Sequence, residues 1–147
     1  WKGTNIPGPS SILIRRSVIE TVGLFDEKLS TSADQDFFFR VAARFKIGRV
    51  KQVTWKYRVH KSNMHKNISL MEKDVLYVYD KAYKDKLFKN ERFAASCFAN
   101  MYLILASSWA GDGANSRRAF YFLVKAVLKK PGLVFYIPAR MIKKWLQ

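Results

Sequence analysis

Two aspartates one residue apart, Asp34-Gln35-Asp36, open a stretch rich in Phe, Val and Ala, and Arg40 follows four residues after the second. A carboxylate within hydrogen-bond reach of a hydroxyl can take its proton as a general base, and an arginine beside it can hold a second acid in place. The same pair also suits a plain helix start, where first-turn acids meet the positive end of the dipole. Other residues with chemical potential are Ser10 and Ser11 after a Gly-Pro pair, Asp26 and Glu27 after Gly23, and His60 at the end of an alternating run. Asp26 and Glu27 fit a solvated turn as readily as a site, and His60 fits a solvated strand end.

The elements that must position these groups can be read from periodicity. Ser32 with Gln35 three residues later forms a capping-box pattern, so a helix is expected from Ala33 to about Phe45. Phe38, Val41, Ala42 and Phe45 would share its inward face. Upstream, Trp1 to Ser10 reads as a loop and Ser11 to Ile14 as a short strand. Ser17 is expected to cap a helix over Val18 to Val22 that stops at Gly23. Downstream, Val50, Val53, Trp55, Tyr57 and Val59 mark one or two strands with a buried face.

Beyond the joint at Ser62 to Ser69 the patterns are helical. Leu70 to Phe88 reads as an amphipathic helix with Val75, Leu76, Tyr79, Ala82 and Tyr83 on one face. Arg92 to Trp109 contains a long uncharged run that reaches the lower length limit for a membrane span, but its serines and Asn100 favour a buried helix. Asn115 or Ser116 should cap a helix to about Lys130 with Phe120, Leu123, Val124, Val127 and Leu128 inward. Leu133 to Leu146 mixes aromatics with Arg140, Lys143 and Lys144. That mixture suits an interfacial helix on anionic lipid or a docked terminal helix.

The order of four blocks narrows the function. Gly8-Pro-Ser-Ser-Ile-Leu-Ile-Arg-Arg16, Val22-Gly-Leu-Phe-Asp-Glu27, Asp34-Gln-Asp-Phe-Phe-Phe-Arg40 and Tyr57-Arg-Val-His-Lys-Ser-Asn63 follow one another. Together they resemble the acceptor-side half of a family-2 glycosyltransferase with the GT-A type of fold, over roughly residues 5 to 65. The resemblance implies an α/β (α+β) fragment: the C-terminal half of a nucleotide-diphospho-sugar transferase fold, residues 1–68, followed by an all-helical tail, residues 69–147. It implies inverting transfer of a sugar from a nucleotide-sugar donor to a saccharide or lipid-linked acceptor, with Asp34 as the general base. Asp36, Arg40, Ser10, Ser11 and Asp26 would bind acceptor or support the site, and His60 would approach the metal-diphosphate of the donor. The position before Asp34 is Ala33, where the family has a glutamate. Asp34-Gln-Asp36 has the form of an Asp-x-Asp metal motif, but it opens a helix instead of ending a strand. The ligands of a divalent metal, Mg or Mn, are therefore expected upstream of Trp1 along with the donor-binding strands, and the isolated piece is expected to be inactive.

Composition bounds the alternatives. The 147 residues are 49% hydrophobic and 15% aromatic, which argues against disorder, and the single Cys97 excludes an internal disulfide. A formal net charge of +16 favours anionic partners, and no acid follows Asp112. The competing class is a non-catalytic basic helical module that docks on an anionic membrane or on nucleic acid. Nucleic acid is disfavoured because the cations are spread over many elements without a recognisable binding motif. The expected location is the cytoplasm, peripheral on the inner face of the cytoplasmic membrane.

Overall fold

A computed structural model describes residues 8–54, 56 and 67–135. Five α-helices account for most of them: α1 (Arg16–Val22), α2 (Ala33–Arg44), α3 (Ile68–Lys84), α4 (Glu91–Ala110) and α5 (Ser116–Lys129). Short 3₁₀ turns precede and follow the series at Pro9–Ser11 and Pro131–Phe135.

The three long helices start by one device. Asn67, Asn90 and Asn115 stand at the N-caps, and their side chains accept the backbone N–H of Leu70, Phe93 and Arg118 at 3.1, 2.8 and 3.0 Å. Each satisfies one of the orphan donors of a first turn. Helix α2 begins where the capping pattern places it, but the Ser32 side chain makes no cap hydrogen bond.

The α/β class does not hold. Among the described residues there is no strand. The expected strand at Ser11 to Ile14 is instead the end of a 3₁₀ turn followed by extended chain, with Ile12 at φ −124° and ψ 151°. Residues 49–54 carry no regular structure, and Val50 and Val53 lie in solvent. The physical reason is that alternation states which face a strand would bury. It does not supply the neighbouring strand whose N–H and C=O groups complete a ladder. Trp55 and Tyr57 to Val59 lie outside the described residues, as does most of the expected basic tail.

The core gathers around α4. Met101, Leu105 and Ala106 of α4 meet Ala119, Phe122 and Ala126 of α5, with Tyr79 of α3 on another side. Ala106, Ala119 and Ala126 are fully buried, and such small side chains let α4 and α5 approach closely. The hairpin between them is shaped by Gly113, where a Cβ would stand 2.4 Å from Cε3 of Trp109. Helix α2 joins this core through Phe39, whose ring packs edge-on to Tyr79 at 5.1 Å and to Phe88 at 6.0 Å. Helix α4 is long and apolar enough to cross a membrane by length and composition, and in this fold seven of its residues are buried against its neighbours.

Two helices bury a different face from the expected one. In α2 the buried residues are Asp36 and Phe37, whereas Ala42 is exposed. In α5 they are Ala119, Phe122 and Ala126, whereas Phe120, Val124 and Leu128 face solvent. The buried stripe of α5 follows the small residues that fit against α4, not the largest apolar ones.

Candidate active site

The acidic segment from Asp26 to Asp36 is held on both sides by charge. Asp36 is buried, and Arg40, one turn later, reaches it through Nε at 3.0 Å and Nη2 at 2.9 Å. Lys81 of α3 approaches the other carboxylate oxygen of Asp36 at 3.0 Å and Asp26 at 2.7 Å. Two acids distant in sequence thus share one ammonium group. The hydrogen bond from Lys81, helped by the backbone N–H of Lys28, holds the Asp26 carboxyl below its ordinary value. For Lys81 itself, burial works against the charge, but the bonds to Asp26 and Asp36 outweigh it and raise the ammonium above its ordinary value.

Arg40 does a second job. Its guanidinium donates to the carbonyls of Val22 and Leu24, the latter at 2.8 Å, while Arg44 donates to that of Thr21 at 3.1 Å. Both arginines therefore close the negative end of α1, whose last turn leaves carbonyls unpaired. Gly23, at φ 80°, turns the chain there in a conformation that other residues rarely adopt; the Arg40 guanidinium lies in ordinary contact distance, 3.8 Å from where a Cβ would stand.

The polar loop before α2 is anchored by Asp74 of α3. One carboxylate oxygen accepts the N–H groups of Ser30 and Thr31 at 2.8 and 2.7 Å and the Thr31 hydroxyl at 3.1 Å. Asp74 is only 3% exposed. Burial pushes its carboxyl up, but the Thr31 and Ser30 hydrogen bonds together outweigh burial and leave it below the ordinary value.

Asp34 lies two residues before Asp36 on the same helix. It is half-buried in the first turn of α2, and its Oδ1 accepts the N–H of Gln35 at 2.8 Å. Among the described residues it makes no ion pair. Asp26, Asp36 and Arg40 are thus brought together through Lys81, and Asp34 lies on the same turn as Asp36. Ser10 and Ser11 lie in the first 3₁₀ turn, where the Ser11 hydroxyl donates to the Gly8 carbonyl at 2.7 Å. Their hydrogen bonds among the described residues stay within that turn. His60 falls outside the described residues.

Lys81 and Asp74 were not among the residues singled out by sequence. The signal in the sequence was spacing alone: Asp74, Val78 and Lys81 fall on one stripe of α3, which the structure turns inward at the fully buried Val78. Charged residues sharing a stripe with a core valine are poor candidates for a solvated face.

The described residues do not fit a divalent metal. No group of three His, Cys, Asp or Glu side chains among them could hold one, and Asp26 and Asp36 are already engaged by Lys81 and Arg40.

With this geometry in view, the comparisons define the class. The family model described as glycosyltransferase like family 2 matches residues 3–108, most of the chain. The chain belongs to that family, and the match runs through the acidic segment, α2, α3 and nearly all of α4. No curated protein matches the chain, and no solved structure does.

Proposed function

We propose that the chain forms the acceptor side of an inverting glycosyl transfer from a nucleotide-sugar donor, with Asp34 as the general base. The observation that supports this reading is a division of labour among three aspartates. Asp26 and Asp36 are neutralised by Lys81 and Arg40, whereas Asp34 stays partly open at the end of a loop fixed by Asp74.

In the proposed step the acceptor hydroxyl gives its proton to the Asp34 carboxylate as its oxygen attacks the anomeric carbon. The bond from that carbon to the diphosphate breaks, and the nucleoside diphosphate leaves with the electron pair. Lys81 and Arg40 position the acidic segment, and their charges are spent on Asp26 and Asp36. The donor sugar, the acceptor as a saccharide or lipid-linked chain, and any metal at the diphosphate belong to the same proposal.

The test is sugar transfer by the intact protein from a panel of UDP-, GDP- and dTDP-hexoses to glycan acceptors, comparing Asp34→Asn with the parent. A loss of about a hundredfold or more is expected from removing a general base. The thermal midpoint should barely move, because among the described residues the Asp34 carboxylate hydrogen-bonds only to the neighbouring Gln35 N–H. Retained transfer in that variant would refute the assignment of the base.

A further inference from the structure

Helix α5 is apolar on two opposite sides. One side is spent on α4 through Ala119, Phe122 and Ala126. On the other, Phe120, Tyr121, Val124 and Leu128 recur at i, i+1, i+4 and i+8, with exposures of 61, 52, 40 and 74%. A contiguous exposed apolar strip of this kind, on the side of a helix away from the core, marks an interaction surface.

Charge decides what kind of surface it meets. Arg117 lies at the N-terminal end of the strip, Lys125 and Lys129 run along one flank, and Lys130 follows the last turn. Lys125 Nζ stands 4.7 Å from the centroid of the exposed Tyr121 ring, so cation and apolar strip are contiguous. No acid occurs from Ser116 onward in a chain of net charge +16. A second copy docked through the same strip about a two-fold axis would bring these like charges together. An apolar face bordered by cations matches the headgroup–acyl boundary of an anionic bilayer instead.

We propose that the Phe120–Tyr121–Val124–Leu128 face of α5 docks in the plane of an anionic lipid bilayer, with Arg117, Lys125, Lys129 and Lys130 at the headgroups. This does not depend on the assignment of Asp34. It places lipid contact on a folded helix within the core.

The experiment is co-sedimentation of the purified protein with phosphatidylcholine vesicles, with and without phosphatidylglycerol. The parent is compared with the double variant Phe120→Ser/Leu128→Ser and with Arg117→Gln/Lys130→Gln. Binding should require phosphatidylglycerol and fall with salt, and each double variant should bind at least about tenfold more weakly. Unfolding in urea without lipid serves as the control for folding, and the two exposed apolar substitutions should leave it nearly unchanged.

Several results would overturn the proposal: no vesicle binding by the parent, or equal binding to pure phosphatidylcholine. Undiminished binding by Phe120→Ser/Leu128→Ser would likewise assign the contact to cations elsewhere. A lipid-free dimer dispersed by the same substitutions would identify a second copy as the occupant. A large loss of stability in that variant would show that the strip is covered by the chain itself.

Discussion

Asp74 offers the sharpest check on how the loop before Asp34 is built. Its carboxylate accepts three hydrogen bonds from Ser30 and Thr31 while almost wholly buried. A hydrogen bond to a charged group contributes about 1.5–3 kcal/mol, but the loop is partly open and water would recover some of the loss. Removing the acceptor by Asp74→Ala should therefore cost about 3 kcal/mol, less than the sum of three independent bonds. With a urea slope of about 1.5–2 kcal/mol per molar, the unfolding midpoint should fall by about 1.5–2 M. The pH dependence gives a second reading of the same contact. The folded Asp74 carboxyl lies below its ordinary value of 3.8, so its contribution is complete above that value and is lost as pH falls through the folded one. Asp74→Asn, which keeps the shape without the charge, should be less stable than the parent at neutral pH and converge on it in acid. A midpoint shift below about 0.3 M for Asp74→Ala would refute the reasoning, as would a parent-to-Asn gap that stays constant from neutral pH to well below 3.8.

Other perturbations test neighbouring parts. Lys81→Met should destabilise by about 3 kcal/mol in urea unfolding, because it strands the buried Asp36 with Arg40 alone; an Asp36→Asn/Lys81→Met cycle should show coupling between the two sites. Gly113→Ala should cost about 1–3 kcal/mol and lower the thermal midpoint, since its Cβ would collide with Trp109. Among the described residues, Arg118→Met should leave buried Glu72 with the Trp109 indole N–H, 2.6 Å away in the parent, as its one partner. A loss of about 2 kcal/mol together with a shift in tryptophan emission would report it.

Helix beginnings and helix faces were each only partly legible in the sequence: Ser17, expected to cap α1, lies inside that helix, which starts at Arg16 after Arg15 with no side-chain cap. Asn115 announced α5 because a capping side chain acts within its own first turn. The inward face of α5 depends on a neighbour. Ala119 and Ala126 carry little hydrophobic weight, yet they are the residues that fit against α4, so Phe120 and Leu128 are turned outward. The strands expected at residues 11–14 and over the described part of the second run, residues 49–54, failed on a similar point, since pairing is not encoded in one strand's alternation. At the candidate site, Asp34, Asp36 and Arg40 could be picked out because they lie on one short segment. Lys81 and Asp74 could not be paired with it, because their partners lie more than forty residues away in the chain. The resemblance of the early blocks to a family-2 glycosyltransferase agrees with the family match, which extends further, to residue 108.

Asp74 and Lys81 stand seven residues apart on α3, about 10 Å along its axis, and grip the acidic segment at separate points. The loop's order is therefore coupled to α3: its two amides at Ser30 and Thr31 are held by a side chain of that helix. In hydrogen exchange these loop amides should behave as members of α3, slow where a surface turn would be fast. The segment that carries Asp34 thus derives its rigidity from a helix that begins more than thirty residues further along the chain.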